Sequence, residues 1–357
     1  MSEKKGLTYE DAGVSIDTMD AGIRDAKSLI RSTFRPEVLG DIGHFGGLFA
    51  LNKDKYDEPV LVSSTDSVGT KLKVAFMSGK HNTVGIDIVS HCGNDIVVLG
   101  AEPIFFLDYI GTGKLERHIM VQIIEGLSKG CKEVGCALIG GETAELPSFY
   151  KAGEYDLVGT IVGVIDRKFI VNGEKVVPGD NIIGLASVGL HTNGYSLARK
   201  IIFDICGYGI LDYIQELGMT VGEELLKPHK SYVKSVLNLI GKLNQKSDNG
   251  PVDFKVKGMA HITGGGLIDN VPRILPDNCC ASINLSSWKI PPIFSFLQKR
   301  GEVEEMEMHR VFNMGMGMVI VVSPDCTDQA IEELKSTGET VYRIGQIVKG
   351  DRKVLFQ

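Results

Sequence analysis

The residues best equipped for chemistry begin at Thr65-Asp66-Ser67-Val68-Gly69-Thr70-Lys71, directly after the strand-like run Pro59-Val60-Leu61-Val62-Ser63-Ser64-Thr65. A carboxylate at the point where a buried strand opens into a loop is placed to bind a metal or a phosphate. Gly69 permits close backbone approach, and Lys71 supplies a point charge suited to phosphate. The same residues also fit a turn capped by Asp66 with Lys71 in solvent. A second group follows in Gly85-Ile86-Asp87-Ile88-Val89-Ser90-His91-Cys92-Gly93-Asn94-Asp95-Ile96-Val97-Val98. Asp87, His91, Asn94 and Asp95 share one broad stripe of a helix whose other residues are mostly apolar. Two carboxylates on a buried helix are costly unless a cation or hydrogen bonds compensate them. Mg²⁺ prefers oxygen ligands and often shares them with substrate phosphates, which suits Asp87, Asn94 and Asp95. The bland alternative is that Asn94 and Asp95 cap a neighbouring loop; His91 is expected beside the site rather than on it.

Three glycine-rich stretches add to these. Gly140-Gly141-Glu142-Thr143-Ala144-Glu145-Leu146-Pro147 follows an apolar run and reads as a substrate-contacting loop or as a bare tight turn. Ser187-Val188-Gly189-Leu190-His191-Thr192-Asn193-Gly194-Tyr195-Ser196 and Thr263-Gly264-Gly265-Gly266 each precede a helical pattern. Glycines and hydroxyls at a helix start offer free N–H groups to an anion, and the recurrence favours a phosphorylated ligand over two simple helix entries. Neither stretch matches a Walker A or dinucleotide fingerprint. Gly40, Gly43, Gly46 and Gly47 around His44 and Phe45 form a further candidate phosphate loop, although a lid without ligand has the same composition.

Positioning these groups requires alternating strands and helices. Residues 59–65, 104–107, 137–139 and 157–162 predict strands, and 83–99 and 118–134 predict helices by apolar spacing. The second half predicts strands at 181–187, 318–322 and 341–347, with helices from Tyr195, over 232–243 and over 326–335. Gly173, Pro178 and Gly179 punctuate the region between, so a boundary is expected there, giving domains 1–171 and 172–357 of mixed α/β (α+β) class.

Composition agrees with a globular chain: 357 residues, 43% apolar and 23% charged. Glycine is the outlier, 43 residues against an average near ~7%. Net charge is −7 with no basic concentration, which argues against nucleic acid. No apolar run is long enough to cross a bilayer, and residues 1–5 are not followed by an apolar core, so neither a membrane segment nor a leader is expected. Seven scattered cysteines without a CxxC pair read as reduced thiols, and a cytoplasmic protein is expected.

Taken together, these segments resemble the phosphoribosylformylglycinamidine cyclo-ligase (aminoimidazole ribonucleotide synthetase) family over nearly the whole chain. The resemblance rests on Tyr9-Glu10-Asp11-Ala12-Gly13-Val14, Ser64-Thr65-Asp66 through Lys71, Gly85-Ile86-Asp87 with Asn94-Asp95, and Gly100-Ala101-Glu102-Pro103-Ile104-Phe105-Phe106-Leu107-Asp108-Tyr109. It continues through Gly140-Gly141-Glu142-Thr143-Ala144-Glu145, residues 189–197, His261-Ile262-Thr263-Gly264-Gly265-Gly266 and Phe312-Asn313. Departures are few: Ser67 stands in place of a glycine, His91 and Gly93 in place of apolar residues, and Met314 in place of a cysteine.

The resemblance implies a two-domain ATP-binding fold whose N-terminal domain forms a β-barrel-like interface in a homodimer. It implies ATP-dependent closure of formylglycinamidine ribonucleotide to aminoimidazole ribonucleotide, with Mg²⁺ and with K⁺ as a second ion. In that chemistry Asp66, Asp87, Asn94 and Asp95 are expected to hold magnesium and the ATP phosphates, with Asp66 and Lys71 acting directly on the transferring group. Lys27, Gly43, Gly46, Gly47 and Thr70 are expected at the nucleotide, and Gly264, Gly265 and Gly266 at a phosphate. His191, an imidazole in a glycine-rich loop, is the expected proton carrier. Relatives that make selenophosphate require an early reactive cysteine, whereas the first here is Cys92. A non-catalytic nucleotide-binding scaffold remains the reading from a different class; it predicts ATP binding without turnover.

Overall fold

A computed structural model describes residues 6–246 and 251–357; residues 1–5, the stretch read for a leader, lie outside the described residues. In the first half, helices α1 (Ile16–Arg31), α2 (Leu72–Ser78), α3 (Val84–Val97) and α4 (Arg117–Val134) accompany strands β1 (Pro59–Ser67), β2 (Glu102–Thr112), β3 (Ala137–Glu145) and β4 (Tyr155–Asp166). The strands form one sheet in the order β1-β4-β2-β3. β4 runs antiparallel to both neighbours, and β2 pairs with β3 in parallel, with α4 as the crossover.

Helices α1, α3 and α4 cover one face of this sheet. α3 and α4 meet backbone to backbone at Gly85, where an added Cβ would lie 2.2 Å from the Leu127 nitrogen. Any side chain at position 85 therefore forces the two helices apart. The other face of the sheet is open. β1 alternates exposed and partly buried residues, leaving Leu61 63% exposed, and Thr65 and Thr160 share a hydrogen bond of 2.7 Å across that face. The expected barrel is not formed: among the described residues the four-stranded sheet is open, with β1 and β3 at its edges.

One expected loop is a strand. Gly140-Gly141-Glu142-Thr143-Ala144-Glu145 continues β3, in register with β2 from Leu107↔Gly140 to Thr112↔Glu145. Paired glycines signal a turn locally, but here the residue at 141 must be small, because a Cβ would meet the Asp108 carboxylate at 2.4 Å. β2 supplies the ladder that overrides the local turn preference.

The second half is built on a six-stranded sheet. Its elements are β5 (Asn181–Ala186), the short ladders β6 (Tyr213–Ile214) with β7 (Met219–Thr220) and β8 (Gln245–Lys246) with β9 (Val252–Asp253), then β10 (Val256–His261), β11 (Cys279–Ile283), β12 (Met316–Val322), β13 (Val341–Lys349) and β14 (Val354–Phe356). The large sheet has the order β10-β12-β5-β13-β11-β14, and its second strand β12 is buried at every position. Helices α5 (Tyr195–Arg199), which runs into a π-helical turn at Lys200–Ile205, α6 (Val221–Leu225), α7 (Val233–Leu243) and α8 (Gly266–Asn270) matter for the site.

α3 is the pivot between the halves. Every residue in it except Asp95 is buried. Gly93 lets it wedge between α4 and α7, since a Cβ there would touch Val134 and Val233, each at 3.2 Å. A single apolar cluster containing Ile88, Val89, Ile96, Val233, Val236 and Met318 runs through both halves. Full burial of side chains such as Ile88 and Ile96 contributes roughly 1.5–3 kcal/mol each, which offsets the cost of withdrawing the polar residues of α3 from water.

Candidate active site

The end of β1, the polar stripe of α3, the tip of β10 and the loop after it converge on a cleft of about 480 Å³ between the two halves. Ser64, Asp66, His91, Asp95, His261, Thr263, Asn270 and Arg273 line it. Two carboxylates face this cleft. Asp66 is 44% exposed at its side chain, and its Oδ2 accepts from His91 Nε2 at 2.9 Å. That hydrogen bond holds its carboxyl below the usual range against the opposing effect of burial. Asp95, the one incompletely buried residue of α3, accepts from Ser64 Oγ at 2.9 Å and from His261 Nδ1 at 2.7 Å. Burial opposes its ionisation, but the His261 hydrogen bond and the charges of His261 and His91 outweigh it and hold the carboxyl below the usual carboxylate range. Both carboxylates are therefore anionic at neutral pH.

Behind the cleft lies a layer of histidines. His91 Nδ1 bonds Thr192 Oγ1 at 2.8 Å, and Thr192 in turn meets His229 Nδ1 at 3.2 Å. His229 Nε2 and His261 Nε2 share a hydrogen bond of 3.1 Å. Burial disfavours protonation of His91, yet the Asp66 hydrogen bond and the Asp95 charge outweigh it and raise its pKa. His229 and His261 are pushed the other way, chiefly by burial.

Deeper still, Lys71 and Asp87 form a fully buried ion pair at 2.8 Å. The ammonium also donates to the carbonyls of His191 at 3.1 Å and Lys227 at 2.7 Å, so its three donors are used. Asp87 Oδ1 accepts the His229 backbone N–H at 2.7 Å, while Oδ2 has no partner. Burial pushes the Asp87 carboxyl up and the Lys71 ammonium down, and each charge opposes the shift of the other.

This arrangement separates the expected site residues into two sets. Asp66 and Asp95 reach the cleft. Asp87 and Asn94 do not: Asp87 is spent on Lys71, and Asn94 donates to the Lys230 carbonyl at 2.9 Å and accepts from the Tyr232 N–H at 2.9 Å. Their positions on the stripe are as expected, but the second half packs over them, so both tie the halves together rather than facing the cleft as metal ligands. Lys71, expected at a phosphate, is likewise interior and a clamp. His191, expected as a flexible loop-borne proton carrier, is 1% exposed in a left-handed backbone conformation at φ 59°. Its ring stacks on His229 with centroids 4.1 Å apart, its Nε2 accepts from the Val188 N–H at 3.1 Å, and its Nδ1 has no partner. Burial holds its pKa far below the ordinary value, so it is a neutral ring at pH 7 and does not line the cleft.

Gly264, Gly265 and Gly266 follow Thr263, which lines the cleft, without lining it themselves. Gly266, at φ 58°, admits no side chain because a Cβ would lie 2.0 Å from the His309 carbonyl. Asn270 latches the loop by donating to the Gly266 carbonyl at 2.8 Å. Thr70 is exposed and bonds Ser196 Oγ at 3.1 Å. Lys27, with Gly43, Gly46 and Gly47, does not line this cleft; Lys27 on α1 pairs with Asp41 at 3.0 Å. Sequence reasoning gave no role to His229, His261 or Arg273. His261 was findable, as the last residue of a strand opening into a glycine loop; His229 carries no local signal.

A second, smaller cavity of about 190 Å³ lies under α1 and is lined by Ile23, Ile42, Asp108, Gly140 and Gly141. Burial lifts the Asp108 carboxyl to about 7. The native state then keeps a proton that the unfolded chain has released, so stability falls as pH rises from about 4 to 7. Asp108→Asn removes that loss. Allowing for the partial exposure of the side chain, it is expected to stabilise by roughly 1–2 kcal/mol at pH 8 and little at pH 5. Melting temperatures of both proteins at the two pH values check this, and an equal difference at both contradicts it.

Comparison with known proteins places this geometry. Residues 50–165 match the AIR synthase related protein N-terminal domain, and residues 177–356 match the C-terminal domain of the same group. The fold is shared with thiamine-monophosphate kinase from Stenotrophomonas maltophilia at a TM-score of 0.67 and 17% identity, covering 94% of this chain and 96% of that one. It is also shared with the hydrogenase maturation protein HypE in complex with ATP, at a TM-score of 0.65 and 16% identity over 97% and 93% of the two chains. The fold and the two matched domains thus define an AIR synthase related protein. Sequence narrows this further. The phosphoribosylformylglycinamidine cyclo-ligase of Syntrophotalea carbinolica is 54% identical over 98% of this chain and 97% of its own. That of Thermoanaerobacter sp. is 51% identical over 98% and 100%. The chain belongs to the phosphoribosylformylglycinamidine cyclo-ligase family.

Proposed function

We infer that the protein catalyses the ATP-dependent cyclisation of formylglycinamidine ribonucleotide to 5-aminoimidazole ribonucleotide, with ADP and phosphate as co-products. The observation that carries this is 54% identity over 98% of the chain to a cyclo-ligase. The pair of anionic carboxylates open to the inter-domain cleft supports it physically. A formamide oxygen is a poor leaving group. Transfer of the γ-phosphoryl to that oxygen gives an imidophosphate; the amidine nitrogen of the same molecule then attacks the activated carbon, and phosphate departs with the former formyl oxygen. The attack is intramolecular, so the protein mainly has to fold the substrate and exclude water.

Asp66 and Asp95 fit magnesium: both are exposed to the cleft, both are anionic, and both offer oxygen to a cation that prefers it. Bound there, Mg²⁺ would neutralise phosphate charge during transfer. Arg273 and Thr263 at the cleft, with Gly264, Gly265 and Gly266 of the adjoining loop, are assigned to substrate or nucleotide phosphate. Lys71 and Asp87 hold the two halves in register beneath the carboxylates. Lys27, Thr70 and the loop 43–47 are assigned to nucleotide on the resemblance, as is K⁺. The open face of the four-stranded sheet is assigned to a homodimer contact, domain 1–171 carrying that contact and domain 172–357 closing the cleft. All seven cysteines are free thiols, and among the described residues no helix is long and apolar enough to cross a membrane. We place the protein in the cytoplasm.

The reading is tested by following ADP release with and without formylglycinamidine ribonucleotide at fixed Mg²⁺ and ATP. Release that depends on the substrate, with imidazole formed in equal amount, is expected. ATP binding without turnover would instead favour a nucleotide-binding scaffold.

A further inference from the structure

We propose that Arg273 and Asn172 hold the ribose 5′-phosphate of the substrate, at the end of the cleft away from the metal carboxylates, and so set the requirement for a phosphorylated substrate. This rests on the functional reading above and decides which of the two phosphate-bearing ligands Arg273 serves. The cleft is electrically two-ended. Asp66 and Asp95 mark one end, Val98, Val171 and Met259 wall the middle, and Arg273 stands at the other. Strand β10 spans the distance. Its last residue, His261, bonds Asp95, whereas Gly258 packs beside Ile274, the neighbour of Arg273. At roughly 3.3 Å per strand residue, the two ends lie about 10 Å apart.

Arg273 faces a second hollow of about 340 Å³ as well as the cleft, and Asn172 and Ile274 are the other residues that line both. The polar groups at that shared mouth are donors. Among the described residues nothing pairs with the Arg273 guanidinium. The Asn172 side chain has its oxygen occupied by the Glu174 N–H at 3.1 Å, which leaves its Nδ2 free to donate. The outer hollow adds no second free cation. Arg352 is spent on the Pro272 carbonyl at 3.1 Å and on Asp277 at 3.3 Å, bonds that brace the helical turn Val271–Ile274 carrying Arg273. Glu174 also lines that hollow, so an anion is favoured at the mouth and not beyond it.

A guanidinium with its donors unused matches a phosphate in charge and in its forked geometry. The choice of ligand follows from where the chemistry must occur. Phosphoryl transfer brings the γ-phosphate and the formyl oxygen together at the metal carboxylates. Extended from that point, a nucleotide ends in an uncharged base, whereas the substrate ends, beyond its ribose, in a phosphate dianion. The second answers the charge of Arg273 and the first does not. Repulsion from Asp66 and Asp95 disfavours the reversed orientation of the substrate.

The test uses the full-length protein and compares formylglycinamidine ribonucleotide with the same compound lacking its phosphate, the ribonucleoside. Arg273→Gln is expected to lower kcat/KM for the ribonucleotide by roughly ten- to a hundredfold, the worth of a hydrogen bond to a charged group. For the ribonucleoside the loss is expected to stay within about threefold, and KM for ATP to hold, because neither involves the group that Arg273 grips. Equal losses for the two substrates overturn the proposal. So does a rise in KM for ATP with kcat/KM for the ribonucleotide unmoved, which would put the arginine at the nucleotide. A second readout needs no variant. Ribose 5-phosphate is expected to inhibit the unsubstituted protein in competition with the ribonucleotide and not with ATP; competition with ATP, or no inhibition, overturns the proposal. Failure of the functional reading shows separately, as an unsubstituted protein that forms no imidazole from the ribonucleotide, and it takes this proposal, which names that substrate, with it.

Discussion

Lys71→Met is expected to destabilise the protein by about 3–5 kcal/mol, the usual cost of removing one partner from a buried ion pair. The substitution strips Asp87 Oδ1 of its counter-charge and leaves the His191 and Lys227 carbonyls without their donor. Methionine fills most of the volume, so the loss reads electrostatics and hydrogen bonding more than a cavity. The double variant Lys71→Met/Asp87→Asn should recover part of the loss, with a coupling of at least about 1 kcal/mol, because the charge that needed compensation has gone. Chemical denaturation of the two single variants and the double variant measures this. A loss under about 1 kcal/mol together with abolished turnover would restore Lys71 to the role of phosphate ligand.

The second large effect is on activity. Asp95→Asn keeps the size of the side chain and an oxygen to accept from His261, and position 95 is the only residue of α3 outside the buried core. The fold should therefore hold. Removing an anionic group that stabilises transferring charge costs on the order of 10²–10³ in turnover, and the metal concentration needed for half-maximal rate should rise by about tenfold or more. Steady-state rates as a function of metal concentration check both. Unchanged metal dependence in a well-folded variant removes Asp95 from the site.

The contrast between Asp95 and Asp87 shows what the sequence carries and what it does not. Both were visible as carboxylates on one stripe of an apolar helix, and the helix, observed at Val84–Val97, lies within the predicted 83–99. Which of the two meets solvent is decided by a loop far along the chain, since the His229 N–H that closes over Asp87 lies 142 residues away. No local pattern encodes that contact. The Lys71–Asp87 pair spans only 16 residues, and each member stood out alone, yet pairing them required knowing that the helical turn at Gly69–Lys71 brings the ammonium back to the buried stripe of α3. His191 illustrates the same limit. Glycines around a histidine signal a loop, and the loop exists, but the ring is covered by His229 and Tyr232, some forty residues further along the same half of the chain. Gly140 and Gly141 failed in the opposite sense, since a ladder partner turned an apparent turn into strand. Strand and helix periodicity survived best where burial is one-sided, as in α4 and β4, because there the pattern of apolar residues is itself the consequence of packing.

The central claim is that a formyl oxygen is activated by phosphorylation and leaves as phosphate when the ring closes. It is tested most directly with formylglycinamidine ribonucleotide carrying oxygen-18 in the formyl group, incubated with the protein, ATP and a divalent ion, followed by mass analysis of the inorganic phosphate. One labelled oxygen per phosphate, in step with one imidazole product and one ADP, is the predicted result. Unlabelled phosphate, or ATP hydrolysed without ring closure, would contradict it.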